Sequence, residues 1–112
     1  MVQYQYRRAK SLDLVAAAIA DPTRRAILAR LSRGPATVSD VAIAFSMTLT
    51  GFCKHVRVLE RASLVRRTRR GRAKVLALSP EPLREVAEWT LQYKKFWNDR
   101  LDRLQAFFEK DE

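Results

Sequence analysis

Residues 37–65 read TVSDVAIAFSMTLTGFCKHVRVLERASLV, and the caps and apolar spacing in this stretch decide the fold. Thr37, with Asp40 three residues later, resembles a capping box (Asp standing where Glu is commoner) and predicts the start of a short helix. The side of that helix that we expect to be buried carries Val41, Ala42 and Phe45. Ser46-Met47-Thr48 then makes a tight turn, and Thr48 is placed to cap a second helix running to about Ala62.

The second helix of this stretch has an apolar side and a polar side. Phe52, Val56 and Leu59 are spaced for one buried stripe. The opposite side presents Thr50, Cys53, Lys54 and Arg57. Two helices joined by a short turn, the second polar and basic on its outer side, form the helix-turn-helix pattern of DNA-binding proteins. Gly51 is unusual inside a helix, and it either permits close approach to DNA or has no role.

A β-hairpin is predicted immediately after the second helix. The runs Leu64–Thr68 and Lys74–Leu78 flank Arg69-Arg70-Gly71-Arg72, in which Gly71 supplies the positive φ of the turn. The tip of this hairpin is cationic, as expected of a wing that lies against phosphates.

The residues before this stretch predict two further helices. Leu12, Val15, Ala16 and Ile19 keep helical spacing, which indicates a first helix over about 11–20. Asp21-Pro22 then begins a new helix, because Asp suits an N-cap and Pro suits the first helical position. This helix is expected to end at Gly34-Pro35.

A last helix over about 81–108 is predicted after Ser79-Pro80-Glu81-Pro82. About 27 helical residues form a rod of roughly 40 Å. A domain this small cannot cover such a long aromatic-rich stripe, so we expect the same helix of a second subunit to cover it. The stripe of this helix that we expect at the dimer interface consists of Trp89, Tyr93, Phe96, Trp97, Leu101, Leu104 and Phe108.

Composition agrees with one DNA-binding domain over residues 1–112. The net charge is +10, and residues 54–74 hold nine Lys or Arg against one acid, Glu60. A patch so localised favours a polyanionic partner over a merely solvated basic face. The single cysteine fits a reducing compartment, and neither a signal peptide nor a membrane span is apparent, so a cytoplasmic location is expected. No nucleophile–base pair or phosphate-cradling loop appears, and we do not expect an enzyme.

Two strings resemble one known family, the ArsR-type (arsenic-repressor-like) transcriptional regulators. Residues 21–28 look like the entry to its second helix, and residues 54–65 like its recognition helix running into the wing. The start of the last helix at residues 80–83, followed by Trp89 and Phe96-Trp97, is similar to that of one branch of the family. The resemblance covers about 11–108 and implies a mainly α winged helix-turn-helix fold with a β-hairpin, in the order α1-α2-α3-α4-β-β-α5.

The resemblance also implies a homodimer formed through the first and last helices, which adds Leu12, Val15 and Ile19 of the first helix to the expected dimer interface. Such a dimer represses transcription from an inverted-repeat operator in double-stranded DNA, often with release by an effector. Metal-sensing members place thiolate pairs in the third helix or His, Asp and Glu clusters in the last. Here the third helix has no Cys and the last has no His, so neither a metal nor another cofactor is expected. The sequence names no small-molecule or redox effector.

The resemblance and the periodicity together assign the DNA contacts. In relatives, the positions of four residues face the major groove: Leu49, Thr50, Cys53 and Lys54. Contacts to phosphate are expected from Arg57, Arg67, Arg69, Arg70, Arg72 and Lys74. Cys53 stands where the family usually has Ser, so it is either a thiol switch or a small contact residue. His55, beside the buried stripe, is expected to have a hydrogen-bonded structural role.

Two other functions remain open from the sequence. The basic wing would also suit a winged-helix module that binds RNA or an acidic protein surface. A third possibility is an architectural protein that binds DNA without sequence preference.

Overall fold

The computed structural model describes residues 2–110, with side-chain environments for residues 10–109. Its elements in chain order are α1 Val2–Ile19, α2 Pro22–Leu31, β1 Ala36–Thr37, α3 Val38–Ile43, α4 Leu49–Arg61, β2 Val65–Arg70, β3 Ala73–Leu78, α5 Glu81–Leu91 and α6 Lys94–Lys110. This is the predicted order of a winged helix-turn-helix. It differs in three places: α1 begins earlier, a short strand β1 is added, and the last helix is divided.

Three helices begin at the caps that the sequence predicts. The backbone amide of Arg24 donates to Oδ2 of Asp21 at 3.0 Å. The amide of Asp40 donates to Oγ1 of Thr37 at 3.1 Å, and the amide of Gly51 donates to Oγ1 of Thr48 at 3.1 Å. Each cap satisfies an amide that has no partner inside its helix and contributes about 1 kcal/mol. The starts of α2, α3 and α4 are therefore fixed by local sequence.

The sheet has three antiparallel strands in the order β1-β3-β2. The predicted hairpin is β2 and β3, in which Val65 pairs with Leu78 and Arg69 with Lys74. The added strand β1 is two residues long, and its Thr37 pairs with Val75 of β3. Since α3 begins at the next residue, this pairing holds the start of α3 beside β3.

One apolar core lies between the helices and the sheet. The α4 stripe of Phe52, Val56 and Leu59 is completely buried in it, as predicted. Other core side chains are Val15, Ala18, Ile27, Leu28, Leu31, Ala36, Val41, Ala62, Leu64, Val65 and Leu76. Burial of this stripe fixes the rotation of α4 about its axis, so the opposite side of α4 must face outward.

The first helix departs from prediction in its start and in one side chain. It begins at Val2 rather than near residue 11. Val15 was expected at the dimer interface, but it is fully buried in the core of its own chain and is not available to a partner. Leu12 and Ile19 are half-buried, whereas Leu14, which the sequence analysis did not select, is exposed.

The predicted single last helix is wrong, because α5 ends at Leu91 and α6 begins at Lys94. At the break, the amide of Tyr93 donates to the carbonyl of Thr90 at 3.0 Å, a tighter turn than the α-helical one. The Thr90 hydroxyl also donates to the carbonyl of Ala87 at 2.8 Å, a back-bond that often bends helices. The apolar stripe therefore lies on two rods of 11 and 17 residues instead of one.

Candidate nucleic-acid interface

The outward side of α4 gathers the residues that were predicted to read bases. Leu49, Thr50, Cys53 and Lys54 line one shallow cavity of about 270 Å³, together with Arg57. All except the half-buried Cys53 are exposed, Leu49 to 61 %. Two turns of α4 thus present an amine, a guanidinium, a hydroxyl, a thiol and an apolar side chain to the same space.

Beside α4 stands the wing, which we define as residues 65–78. Gly71 has a φ of 60° at its turn, as predicted. Arg69, Arg70, Arg72 and Lys74 are exposed. Because side chains alternate along a strand, Arg67 and Arg69 share one face of the wing with Lys74, while Arg70 lies on the other.

Arg67 differs from the free phosphate-binding cation that the sequence analysis expected. Its Nη2 donates to Oε1 of Glu60 on α4 at 2.7 Å, and the two side chains are 27 % and 31 % exposed. Its Nε is buried without a hydrogen-bond partner among the described residues. Arg67 therefore joins the wing to the end of α4, and much of its charge is offset within the protein.

A second cavity, of about 350 Å³, opens between α4, the start of α3 and the wing; we call it the α4–wing cavity. Its lining residues are Thr37, Val38, Ser39, Leu49, Cys53, Arg67, Arg72, Ala73 and Lys74. Thr37 and Ser39 were not predicted to line this surface, because Thr37 was assigned only to a helix cap. The capping box could have indicated their position, since it places the hydroxyls of both Thr37 and Ser39 at the start of α3.

A family of domains and several known proteins are similar to this chain. A family described as "Helix-turn-helix domain" matches residues 19–68. The transcriptional repressor SdpR of Bacillus subtilis (strain 168) is 32 % identical over 76 residues, which cover 68 % of this chain and 84 % of that protein.

Two solved structures carry the same fold. The crystal structure of an ArsR family transcriptional regulator is 42 % identical with a TM-score of 0.74, and the match covers 80 % of this chain and 93 % of that one. The solution structure of the homodimeric winged helix-turn-helix domain Mb0332 from Mycobacterium bovis has a TM-score of 0.65 at 23 % identity, covering 88 % and 89 % of the two chains.

The chain belongs to the ArsR-type winged helix-turn-helix transcriptional regulators. This confirms the resemblance seen in residues 21–28 and 54–65. It also assigns the chain to a class of regulators that are not enzymes.

In this ArsR-type regulator, a polar cluster supports α4 from behind. Nε and Nη2 of Arg24 donate to the carbonyls of Ala18 and Ala17, at 2.7 and 3.0 Å, near the end of α1. Nη1 of Arg24 lies 3.2 Å from Nδ1 of His55 on α4. A guanidinium only donates, so Nδ1 of His55 is the acceptor in this contact. The structural role predicted for His55 is confirmed.

Asp21 completes this cluster. Its Oδ2 lies 3.9 Å from Nδ1 of His55. The hydrogen bond from the backbone amide of Arg24 lowers the pKa of the Asp21 carboxyl, and the positive charge of the Arg24 guanidinium lowers it further. The carboxylate therefore stays ionised where it caps α2, and the cluster ties α1, α2 and α4 together.

The regulator also exposes a large apolar face on its last two helices. Its members are Trp89, Leu91, Tyr93, Phe96, Trp97, Leu101, Leu104, Phe107 and Phe108. The ring of Trp89 packs edge-on against that of Tyr93, with 5.4 Å between the ring centroids. Two side chains of this face are therefore held against each other within one subunit. Every interface residue predicted on α5 and α6 is at least two-fifths exposed.

Cys53 lies between the two cavities, with its side chain half-buried. Its role as a thiol switch stays a prediction. In the described part of the chain, no three His, Cys, Asp or Glu side chains are grouped as metal ligands. No helix within the described residues is both long and apolar enough to cross a bilayer.

Proposed function

We propose that this regulator represses transcription as a homodimer that binds an inverted-repeat operator in double-stranded DNA. The observation that carries the proposal is the exposed basic side of α4 with the cationic wing beside it. Residues 54–74, which form most of this surface, have a net charge of +8. The relative SdpR is a transcriptional repressor, which favours repression over activation.

Base reading is proposed for the outward side of α4. Lys54 donates to the O6 and N7 acceptors of guanine, and the hydroxyl and methyl of Thr50 suit adenine or thymine. Leu49 and Cys53 supply apolar contacts beside them. Contacts to phosphate come from Arg57 and from the exposed wing cations Arg69, Arg70, Arg72 and Lys74, and they set register and affinity without carrying sequence.

The homodimer is proposed from the apolar face of α5 and α6. Covering the exposed parts of six aromatic and three leucine side chains removes on the order of 800 Å² per subunit from water, the size of a standard stable interface. The Mb0332 domain, which shares the fold, is a homodimer. A two-fold dimer presents two α4 helices in opposite directions, and an inverted repeat matches that symmetry. Because its target is DNA, we place the protein in the cytoplasm.

The test is footprinting on the DNA upstream of the regulator's own gene, followed by titration of the protected segment against random duplex. We expect a two-fold symmetric footprint and a preference of roughly 10³-fold or more for that site. Equal affinity for all duplexes would indicate an architectural DNA-binding protein instead. Preference for RNA or for an acidic protein would contradict the proposal.

A further inference from the structure

We propose that the α4–wing cavity seats one backbone phosphate of the DNA strand that separates the major groove from the adjacent minor groove. The inference rests on the proposed function and adds a specific site to it. Neighbouring grooves of a duplex are divided by a single sugar–phosphate backbone. With α4 in the major groove and the wing tip reaching past its edge, that backbone must cross the space between the two elements, and this space is the cavity.

The lining of the cavity suits a phosphodiester. Arg72 and Lys74 supply exposed cations from the wing, and none of the nine lining residues is acidic. Charged donors form the stronger hydrogen bonds to phosphate oxygens, while hydroxyls add neutral ones. Because Glu60 already offsets the charge of Arg67, we assign the charged contacts with the phosphate to Arg72 and Lys74. Arg67 lines the cavity without a charged contact of its own to the phosphate.

Two hydroxyls complete the donor set from the side of α3. Oγ1 of Thr37 accepts the amide hydrogen of Asp40, which leaves the hydroxyl hydrogen of Thr37 free to donate. Ser39 is exposed on the first turn of α3 and lines the same cavity. Leu49 and Cys53 form the opposite wall of the cavity.

The strand β1 makes this seat rigid. It pairs Ala36 with Leu76 and Thr37 with Val75, so the hydroxyls of Thr37 and Ser39 are held at a fixed register from Lys74 on the same strand β3. Donors that are ordered before binding lose less conformational entropy when the ligand arrives. A two-residue strand, which adds little to the core, thus has a role in holding the two sides of the seat together.

The experiment is a scan of single methylphosphonates, which remove one phosphate charge at a time, through each half-site of the operator. We expect wild type to lose affinity at each of the several contacted phosphates of a half-site. At the one position that occupies the seat, the loss should be about tenfold, the value of one charged hydrogen bond. Lys74→Ala and Ser39→Ala should each bind the unmodified operator more weakly and lose most of their sensitivity at that position. Arg70→Ala, on the other face of the wing, should weaken binding but keep the full sensitivity there.

The outcomes separate this inference from the proposed function. If wild type does not prefer its unmodified operator, the proposed function fails. If it does, but Lys74→Ala and Ser39→Ala keep the sensitivity of wild type at every position, the phosphate seat is wrong. Inorganic phosphate, titrated into the DNA-free protein, tests the other source of the same chemistry. One result would overturn the proposal and assign the cavity to a free anion. In it, inorganic phosphate binds saturably, Ser39→Ala abolishes that binding, and no position of the scan loses its sensitivity in Lys74→Ala and Ser39→Ala.

Discussion

Glu60 on α4 and Arg67 on the wing are joined by a 2.7 Å ion pair, and both side chains are about two-thirds or more buried. The pair connects α4 to the wing. It also offsets the charge of Arg67, so under the proposed function we expect it to restrain the affinity for any duplex.

Glu60→Gln therefore has opposite effects on stability and on affinity. We expect the free energy of unfolding to fall by about 1 kcal/mol, because the partly buried partner loses its counter-ion. Affinity for random duplex should rise, since Arg67 becomes available to a phosphate, and the salt slope should steepen by about one per subunit. Urea unfolding and salt titration measure the two effects. Asp13→Asn, an exposed acid on α1, is the control and should change neither.

Salt should control binding strongly because several cations neutralise phosphates at once. We expect a log–log slope between roughly −5 and −9 for a dimer that makes about 6–10 phosphate contacts. The Arg70→Ala, Arg72→Ala double variant should flatten that slope and weaken all duplexes by a similar factor. A loss confined to the operator would show instead that the wing reads bases.

Lys54→Ala should relax the base preference at one position in each half-site, at a cost of about 1–3 kcal/mol. The side chain is exposed, so its removal leaves the fold intact. Selection from a randomised operator pool measures the change. Arg57→Ala is the matched variant one turn away and should weaken every sequence about equally. A footprint of one unrepeated half-site would contradict the symmetric dimer.

Trp97→Ala and Leu101→Ala should each shift the protein towards monomer and abolish tight operator binding. The side chains are 47 % and 61 % exposed in the subunit, so their truncation acts on the partner interface more than on the core. Covered side chains of this size contribute about 2–5 kcal/mol. Sedimentation measures the state of assembly, with Asp99→Ala on the same helix as control. An unchanged dimer in both variants would place the interface elsewhere.

Acid should destabilise the regulator through Asp21. The pKa of Asp21 is lowered in the folded state. The stabilisation from its carboxylate is therefore complete above the ordinary carboxyl pKa of about 3.9, and it is lost as the pH falls through the lower pKa of the folded state. Asp21→Asn keeps an N-cap but cannot titrate, and its melting temperature should vary less over that acid range. Equal pH profiles for the two proteins would show that Asp21 does not carry the effect. Asp13→Asn, an exposed acid on α1, serves as control and should retain the wild-type profile.

Much of the fold was predictable because it is encoded locally. The caps at Asp21, Thr37 and Thr48 fix three helix starts, and the α4 stripe fixes which side of that helix faces outward. The same two signals predicted which side chains gather on the outer side of α4. Gly71 fixed the turn of the wing for a similarly local reason.

The remaining features leave no clear signal in the local sequence. A strand of two residues has no periodicity to detect, so β1 was missed. The break at Gln92 and Tyr93 lies beside the back-bond of Thr90, and neither a Pro nor a Gly marks it in the sequence. Arg67 was read as a free cation although strand alternation places it on the inner face with Val65. Its pairing with Glu60 appears only when the wing folds against α4.

The Arg24 cluster makes the end of α1, the start of α2 and the middle of α4 a single rigid unit. If the apolar face joins two subunits, as proposed, a rotation between them moves each α4 with its whole unit and changes the distance between the two DNA-reading surfaces. The preferred spacing between the two half-sites of the operator then reports how the two subunits are oriented relative to each other. A mutation that turns one subunit against the other would be detected as an altered preference for spacer length, with the bases read in each half-site unchanged.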